Sequence, residues 1–322
     1  MDLSFVKYFV DPKCKSPLDL EIHEKVGNRV ISGLFKSEKS EFPIIKGVPR
    51  FVSKINYSNS FGFQWGKWPL IQFESENIGK PMQGHTSDMF NKITNNHFKN
   101  LHGPNLLLDI GCGSGRFIDL LRPMKNIKII GIDYSNSVQM AYLNFINDSN
   151  ICIVQADALN LPFKSKTFHG SFSIGVLHHT PSPENGVNEA FRVLKNAGKY
   201  SICVYAKGSY YDTKILKFYR KMFNLFMPLF SFWPAIIYAH FMVQFISPLL
   251  NKLRFIKPLA IKIFPYTDLP DKNWAILDTF DSVTPKYASV HSSKELVEWM
   301  KSAGFKKITS TKWGSTSFIA KK

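Results

Sequence analysis

A glycine-rich loop is the feature of this sequence whose residue types most directly suggest chemistry. In "LLLDIGCGSGRF", an apolar run ends at Asp109, and Gly111, Gly113 and Gly115 follow at alternate positions, with Cys112 between the first two. Glycine adopts positive φ without strain and lets a ligand lie against the backbone. The spacing differs from the GxGxxG of loops that bind a dinucleotide pyrophosphate. The pattern predicts a tight strand-to-helix turn that binds a ligand, with Cys112 as a small packing residue.

Two further acids stand where the next two apolar runs end. Asp133 closes "IKIIGID", 22 residues beyond Gly111, and Asp157 closes "ICIVQAD". The carboxyl ends of parallel strands meet at one edge of a sheet, where open α/β sheets bind ligands. Asp133 can accept hydrogen bonds from two ribose hydroxyls, and Asp157 can meet an adenine amino group while Ala158 and Leu159 border the ring. These positions predict a nucleoside site, against the alternative that both acids only cap loops.

Two adjacent histidines follow a fourth apolar run. His178 and His179 stand in "VLHHT", just beyond the expected strand. An imidazole can take a proton from an acceptor near neutral pH. Either histidine is therefore a candidate general base. The alternative is that one packs against the ligand and the other caps the loop.

The N-terminal segment contains two pairs of positions with the spacing of metal ligands. Asp11 and Cys14 form the first pair, and Ser37 and Ser40 form the second. Structural zinc is held by thiolates or imidazoles in a closed tetrahedral set. One thiolate, one carboxylate and two hydroxyls make a poor set, so we expect no metal in this protein.

Apolar strands alternate with helices from residue 105 to 206, and a helix and two strands end the chain. This alternation predicts βαβ units and a parallel sheet covered on both faces, which is an α/β fold. The residues before 105, and those between 206 and the last helix, do not follow this alternation. The expected division is a β-rich module over 1–53, a connector over 54–100 with helix near 86–100, and an α/β domain over 101–322 with a helical insert at 209–290.

The insert contains an uncharged aromatic segment. The thirty residues from 222 to 251 include no Asp, Glu, Lys or Arg, and three prolines break the run. We therefore expect two or three short helices rather than a membrane span. Over 212–265, eight basic residues accompany one acid. Apolar segments framed by bases suit a membrane surface or a lipid-like acceptor, and a purely structural lid is the alternative.

Taken in order, the motifs of residues 105–206 and 292–322 resemble those of class I S-adenosylmethionine-dependent methyltransferases of the type 11 kind. The matching segments are "DIGCGSGRF", "GIDYS", "QADALNLPF" and "GVLHHTPSPENGVNEAFRVLKNAGKYSICVY". The resemblance implies a Rossmann-like seven-stranded sheet with helices on both faces and an antiparallel last strand. The cofactor-binding residues that it implies are Asp109, Gly111, Cys112, Gly113 and Gly115 for the methionine part, Asp133 for the ribose, and Asp157, Ala158 and Leu159 for the adenine. Tyr134, next to Asp133, is a further expected cofactor contact.

Residues 5–53 resemble the small zinc-ribbon module that activates methyltransferases or is fused to them. Its pattern is C-P-x-C, then C-x-x-C, then "FPI-x-x-GVP". In this chain the four ligand positions read Asp11, Cys14, Ser37 and Ser40. The resemblance therefore implies a degenerate ribbon that keeps the shape of the module without its ion.

The expected function is methyl transfer to a small-molecule acceptor that is lipid-, quinone-, polyketide- or sugar-like. Because the insert leaves the fifth strand at the ligand edge, Asp281, Tyr287 and His291 are candidate acceptor contacts. An RNA methyltransferase and a non-catalytic partner protein of the same fold are the alternatives. Nucleic acid is disfavoured, because the bases interleave with an apolar insert rather than line a polar groove with stacking aromatics.

Charge and cysteine content limit the partners and the cellular location that we expect for the protein. The net charge of +17 allows nucleic acid, an anionic membrane surface or an acidic substrate as a partner. Four cysteines do not suggest a disulfide framework, and the opening Met-Asp-Leu-Ser has neither a basic nor an apolar signal region. We expect a cytoplasmic protein, with peripheral contact at the inner membrane surface through residues 209–265 as the alternative.

Overall fold

The N-terminal module is an antiparallel sheet. A computed structural model describes residues 1–52, 58–101, 103–253 and 255–322. A 3-10 helix at Leu3–Tyr8 precedes four strands that pair in chain order. The strands are β1 (Asp19–Val26), β2 (Arg29–Lys36), β3 (Glu41–Ile45) and β4 (Val48–Pro49).

A seven-stranded sheet forms the centre of the molecule. Its spatial order is β10-β11-β9-β8-β5-β6-β7. All neighbouring pairs from β7 to β9 are parallel, and β11 runs antiparallel to both β9 and β10. The predicted fold class, including the antiparallel last strand, is confirmed. The strands are β5 (Asn105–Ile110), β6 (Ile127–Asp133), β7 (Ile151–Gln155), β8 (Phe168–Ile174), β9 (Leu194–Cys203), β10 (Lys306–Ser310) and β11 (Ser317–Lys321).

Eleven α-helices are seen in the described part of the chain. They are α1 (Asn59–Lys67), α2 (His85–Thr94), α3 (Arg116–Leu121), α4 (Val138–Asn144), α5 (Pro183–Val193), α6 (Lys214–Phe230), α7 (Trp233–Phe241), α8 (Ser247–Lys252), α9 (Lys257–Ile261), α10 (Lys272–Val283) and α11 (Ser293–Ala303). A capping box of Ser292 and Glu295 begins α11, because each side chain bonds the other's backbone amide.

The helices cover both faces of the sheet. In β5, Leu106 and Leu108 pack into one core with α5 and α11, whereas Leu107 packs into a second core with α2, α3 and α4. Successive side chains of a strand point to opposite faces, so an apolar run such as "NLLLDI" needs apolar neighbours on both sides. The double layer of helices supplies them.

The N-terminal module is packed onto the sheet rather than separate from it. Phe9 contacts Phe35, Phe51 and Phe163, with ring centroids 5.3 to 5.5 Å apart. The amide of Phe51 donates to the carbonyl of Gln155 in β7 (2.8 Å). The module thus covers the exposed edge of β7, a common way to blunt an edge strand. The proposed boundary near residue 53 falls on residues 53–57, outside the described residues.

The insert contains longer helices than expected. Residues Trp233–Lys252 form one continuous helix, because a π-helical turn at Met242–Ile246 joins α7 to α8. Pro234 stands in the first turn of the helix, where a missing amide costs little. Pro248 lies inside the helix, directly after the π-helical turn, and Pro228 lies inside α6. By length and composition this helix could cross a membrane, and 39% of its most apolar window is buried in the protein.

Candidate functional site

The glycine loop makes a tight turn between β5 and α3. Gly111 and Gly113 have φ of +83° and +57°, a region that other residues adopt only with strain. A Cβ on Gly111 would lie 2.3 Å from the side chain of Val176, and one on Gly113 would lie 2.8 Å from Nε1 of Trp65. The loop therefore requires glycine for conformation and for space.

Asp133 connects the tip of β6 to this loop. Its Oδ2 accepts a hydrogen bond from the amide of Gly113 (2.9 Å), and its Oδ1 accepts from the amide (2.8 Å) and hydroxyl (2.6 Å) of Ser135. Burial raises the pKa of Asp133 against these bonds. The Ser135 hydroxyl has a second acceptor in Ser137 Oγ, 2.7 Å away.

This arrangement fits a ribose. A carboxylate has about four acceptor positions, and Asp133 uses three of them. If the Ser135 hydroxyl turns to Ser137, a second position becomes free. Asp133 can then accept bonds from two hydroxyls while it keeps its bond to the Gly113 amide.

A cavity of about 370 Å³ lies against the loop and Asp133. Three segments that are distant in sequence form its walls: the glycine loop, the connector helix α1 and the insert helix α10. Of the residues predicted from sequence, it is lined by Gly111, Cys112, Gly113, Asp133, Tyr134, Ala158, His179 and Asp281.

Two acids one helical turn apart belong to the insert wall. Burial and the neighbouring carboxylate of Asp281 raise the pKa of Asp278 to about 7, while Arg116 opposes this rise. Burial raises the pKa of Asp281 to about 6, although a bond from Gln64 and the charges of Arg116 and Arg220 oppose it. Both side chains are still partly accessible, because they line the cavity. Each of the two carboxyl groups can therefore gain or lose a proton near neutral pH.

Arg116 supplies positive charge to the same cavity. Burial lowers the pKa of its guanidinium, and the carboxylates of Asp278, Asp109 and Asp281 act in the opposite direction. Its Nη1 donates to Oε1 of Gln72 (2.6 Å). The first residue of α3 thus brings a cation between the acids of the loop and those of the insert.

Aromatic rings form much of the remaining wall. Tyr205 and Tyr211 stack in parallel with centroids 3.6 Å apart, and both line the cavity. Phe61 contacts His179 at 4.9 Å between centroids. The Oε1 of Gln64, which also lines the cavity, is buried without a hydrogen-bond partner. An unpartnered acceptor beside rings suits a ligand that carries a hydroxyl or amino group.

The two histidines have different surroundings. Nδ1 of His179 and the carbonyl oxygen of Tyr287 are 2.7 Å apart, so the neutral ring keeps its proton on Nδ1 and has none on Nε2. Burial lowers the pKa of His179 to about 4. His178 is fully buried against Tyr205, neither ring nitrogen has a partner, and the residue does not line the cavity. The ring of His178 is thus enclosed away from the cavity, and a base role for either histidine stays a prediction.

Two of the predicted acceptor contacts lie elsewhere. The backbone of Tyr287 holds His179, but its side chain does not line the cavity and is 37% exposed. His291 contacts Ser289 (2.8 Å) and packs edge-on against Trp299. It precedes the capping box of α11, and it does not line the cavity either. Neither side chain lines the cavity, and an acceptor contact of Tyr287 or His291 stays a prediction.

Four predicted cofactor residues support the site from behind or beside it. Asp109 is buried beneath the loop with Oδ2 unpartnered, and Gly115 begins α3 with φ +103° against Phe145. Asp157 accepts a bond from the Leu159 amide (2.9 Å). None of these four lines the cavity. Asp157 and Leu159 flank Ala158, which does.

The four ribbon positions form a hydrogen-bonded turn. Asp11 is buried, and its carboxylate accepts from the hydroxyl of Ser37 (2.7 Å) and from the amides of Lys13 and Cys14. The amide of Ser40 donates to Ser37 Oγ (3.1 Å). In the described residues no group of three or more His, Cys, Asp or Glu could hold a metal ion. The Asp11 carboxylate thus joins the two pairs of positions by hydrogen bonds, and the absence of metal stays a prediction.

Sequence reasoning missed several residues of the cavity. Trp65 and Gln64 lie in a connector that showed no clear helical pattern, and Trp274 lies in an insert whose path could not be read. The spacing of Asp278 and Asp281, three residues apart in a helix, puts both on one face. Two acids on one helical face with no basic residue beside them could have indicated an acid pair that lines a site.

Comparison with known proteins identifies the central domain. The family described as Methyltransferase domain matches residues 108–202. An uncharacterized chloroplastic methyltransferase of Arabidopsis thaliana is 33% identical over 117 residues, which are 34% of this chain and 33% of that protein. The sterol 24-C-methyltransferase of Schizosaccharomyces pombe is 27% identical over 124 residues (37% and 32%), and the tRNA (carboxymethyluridine(34)-5-O)-methyltransferase of Xenopus tropicalis is 29% identical over 119 (36% and 18%).

The matched segment spans a third or less of the length of these relatives. Among solved structures, phosphoethanolamine N-methyltransferase 2 of Haemonchus contortus aligns with 84% of this chain and 47% of its own, at 16% identity and a TM-score of 0.45. The sterol and tRNA methyltransferases are named for different acceptors, so the shared segment does not identify the substrate of this chain. Residues 108–202 therefore match a methyltransferase domain, and most of β5 to β9 of the seven-stranded sheet lies within them.

Proposed function

We propose that this protein transfers a methyl group from S-adenosylmethionine to a small-molecule acceptor. The observation that carries the proposal is that two groups of residues line one cavity. The glycine loop and Asp133 lie on one side, and Asp278 and Asp281 of α10 lie on the other. When bound, S-adenosylmethionine supplies an electrophilic methyl carbon on a sulfonium sulfur, which keeps the electron pair of the broken bond. The task of the protein is to orient the acceptor and exclude water.

The loop side of the cavity has groups suited to each part of the cofactor. Asp133 would hold the ribose hydroxyls, and Ala158 would border the adenine with Asp157 beside it. Arg116, which lines the cavity, would hold the carboxylate of the methionine part, since a guanidinium matches a carboxylate in shape and charge.

The insert side has groups suited to the acceptor. An acceptor hydroxyl or amine loses its proton as the new bond to carbon forms, and Asp278 or Asp281 can take that proton because their pKa values lie near neutrality. Nε2 of His179, which carries no proton in the neutral ring, is the alternative base. Its pKa of about 4 makes it the weaker of the two candidates.

The wall composition favours an acceptor with an apolar body and one hydroxyl or amine. Tyr205, Tyr211, Trp274 and Leu277 line the cavity beside the acid pair. A lipid-, quinone- or polyketide-like molecule matches these surfaces better than a sugar, whose many hydroxyls would require more polar partners. We propose a cytoplasmic location for the protein.

RNA is the second candidate acceptor. A tRNA methyltransferase is among the relatives, and the net charge of +17 favours a polyanion. The apolar wall built by α10 argues against it, since a nucleotide chain needs a continuous basic path to the cavity.

Labelled methyl donor added to the purified protein and a fractionated extract tests the proposal. We expect label in the lipid or small-metabolite fraction with the wild type and none with Asp133→Ala. Label only in RNA would overturn the acceptor class. No label in any fraction, from a protein that still binds the donor, would overturn the activity and favour the non-catalytic alternative.

A further inference from the structure

The outer face of the insert carries a row of exposed apolar side chains. Trp233, Ile237, Phe241, Phe245 and Leu249 follow one another at four-residue intervals on the helix Trp233–Lys252, and each is 51% to 68% exposed. Four residues overshoot one α-helical turn by about 40°. The wider π-helical turn Met242–Ile246 rotates less per residue and offsets this advance. We call these five residues the apolar stripe.

Neighbouring elements extend the apolar surface. Leu225 and Leu229 near the end of α6 are 73% and 76% exposed, and Phe255 beside α9 is 82% exposed. Fifteen of the large apolar residues that are exposed in the described chain lie between Phe218 and Phe264. Single exposed apolar residues are ordinary on soluble proteins, whereas a concentration in one segment marks an interaction site.

Basic residues predominate around the apolar stripe, and the two acids that border this part of the sequence, Asp212 and Asp268, pair with Lys217 and Lys257. Between residues 213 and 267 the sequence has eight basic residues and no acid. Lys221, Lys252 and Lys262 are exposed, and no acid in the described part of the chain pairs with them. Lys252 lies three residues beyond Leu249, so positive charge borders the apolar stripe directly. Charge complementarity therefore selects a partner that is both apolar and anionic.

The opposite side of the same helix is buried in the protein. Ala235, Ile236 and Val243 pack in one core with Phe280 and Val283 of α10. The helix is thus held against α10 by its inner face, and its outer apolar face is available to lipid. One buried face and one exposed apolar face describe a helix that lies in the plane of a membrane interface.

We propose that the apolar stripe and its flanking lysines dock this protein onto an anionic lipid bilayer. The stripe enters the boundary between headgroups and acyl chains, and Lys221, Lys252 and Lys262 lie at the level of the phosphates. α10 packs against the inner side of the helix Trp233–Lys252 and also lines the cavity. An apolar acceptor would therefore have a short path from the lipid to the cavity. The docking itself does not depend on methyl transfer.

Vesicle flotation tests the docking. The wild type should float with phosphatidylcholine vesicles that contain phosphatidylglycerol, less so at high salt, and weakly with pure phosphatidylcholine. Replacement of Ile237, Phe241 and Phe245 by serine should reduce binding at least about tenfold. The matched control is Val26→Ser with Ile78→Ser, which removes apolar side chains that are 67% and 71% exposed outside the insert, and it should float like the wild type.

Two further measurements separate the lipid from other partners. Trp233 is 68% exposed, whereas the other five tryptophans are buried or half-buried, so brominated lipid should quench the emission of the wild type but much less that of Trp233→Phe. Lys221→Glu with Lys252→Glu should weaken flotation about tenfold or more, whereas Lys306→Glu with Lys312→Glu should leave it unchanged. The proposal is overturned if the wild type does not float, or if serine substitution of the stripe only converts a dimer to a monomer, which would identify a second copy as the occupant.

Discussion

The carboxylate of Asp133 and the backbone amide of Gly113 are joined by a hydrogen bond of 2.9 Å. This bond fixes the tip of β6 against the glycine loop, so that one side chain both shapes the loop and faces the cavity. The ribose site proposed above depends on this double role. Asparagine at this position would keep the size of the side chain but replace one acceptor oxygen with a donor.

We therefore predict that Asp133→Asn weakens binding of S-adenosylhomocysteine on the order of 10- to 100-fold, since a hydrogen bond to a charged group contributes about 1.5–3 kcal/mol. Equilibrium dialysis with labelled ligand measures the change. The control is Glu184→Gln, an exposed acid of α5. Equal affinity of wild type and Asp133→Asn would contradict the ribose assignment.

Gly111 gives a test of the loop that needs no ligand. Gly111→Ala combines left-handed strain of about 1 kcal/mol with overlap on Val176, which costs about 1–3 kcal/mol more. Gly27→Ala is the matched control, because Gly27 has φ +57° but open space at its Cβ position. Denaturant unfolding should show a larger loss for Gly111→Ala, partly restored by adding Val176→Ala. Equal losses at the two glycines would exclude the overlap.

The acid pair predicts a pH dependence of stability. The pKa of Asp278 is raised to about 7 in the folded state by burial and by Asp281, above the ordinary value near 4 that applies to the unfolded chain. The folded state therefore holds more protons between these values, and the free energy of unfolding falls as pH rises from about 4 to 7.

Asp278→Asn should remove this contribution. We expect the variant to melt a few degrees higher than the wild type at pH 8 and at the same temperature at pH 4. Asp88→Asn, which changes an exposed acid of α2, should leave the pH profile unchanged. Identical profiles for wild type and Asp278→Asn would show that Asp278 titrates normally.

The hydrogen bonds of the N-terminal module predict that chelators do not change the stability of the protein. Asp11 is buried and accepts three hydrogen bonds, so Asp11→Ala should cost about 1–3 kcal/mol of stability. Asp19→Ala, at an exposed position of β1, should cost little. A chelator should leave the melting temperature of the wild type unchanged. One tightly held zinc per chain in metal analysis of the purified protein would contradict this account.

The central sheet and the loop were predictable because their signals are local. "NLLLDI" needs apolar contacts on both faces, and the glycines that follow it report a turn with positive φ. Asp133 and Ala158 then reach the cavity because parallel strands end at one edge.

The insert wall was not predictable to the same degree. Asp278 and Asp281 look like surface acids in isolation, and only the packing of α10 beside Arg116 and Gln64 gives them a cavity to face. The adjacent histidines were indistinguishable in sequence, because a 3-10 turn at Leu177–His179 decides which ring faces the cavity. Long helices replaced the expected short ones: Pro234 falls in a first turn, whereas α6 contains Pro228 and the helix Trp233–Lys252 contains Pro248 after its π-helical turn.

The most direct test of the central claim is a calorimetric titration of the purified chain with S-adenosylhomocysteine. The account predicts binding of one molecule per chain with micromolar-range affinity, on the order of −8 kcal/mol, and loss of that heat in a Gly113→Val variant that stays folded by circular dichroism. A folded wild-type chain that gives no binding heat at any temperature, and no shift of its melting temperature with the ligand, would contradict it.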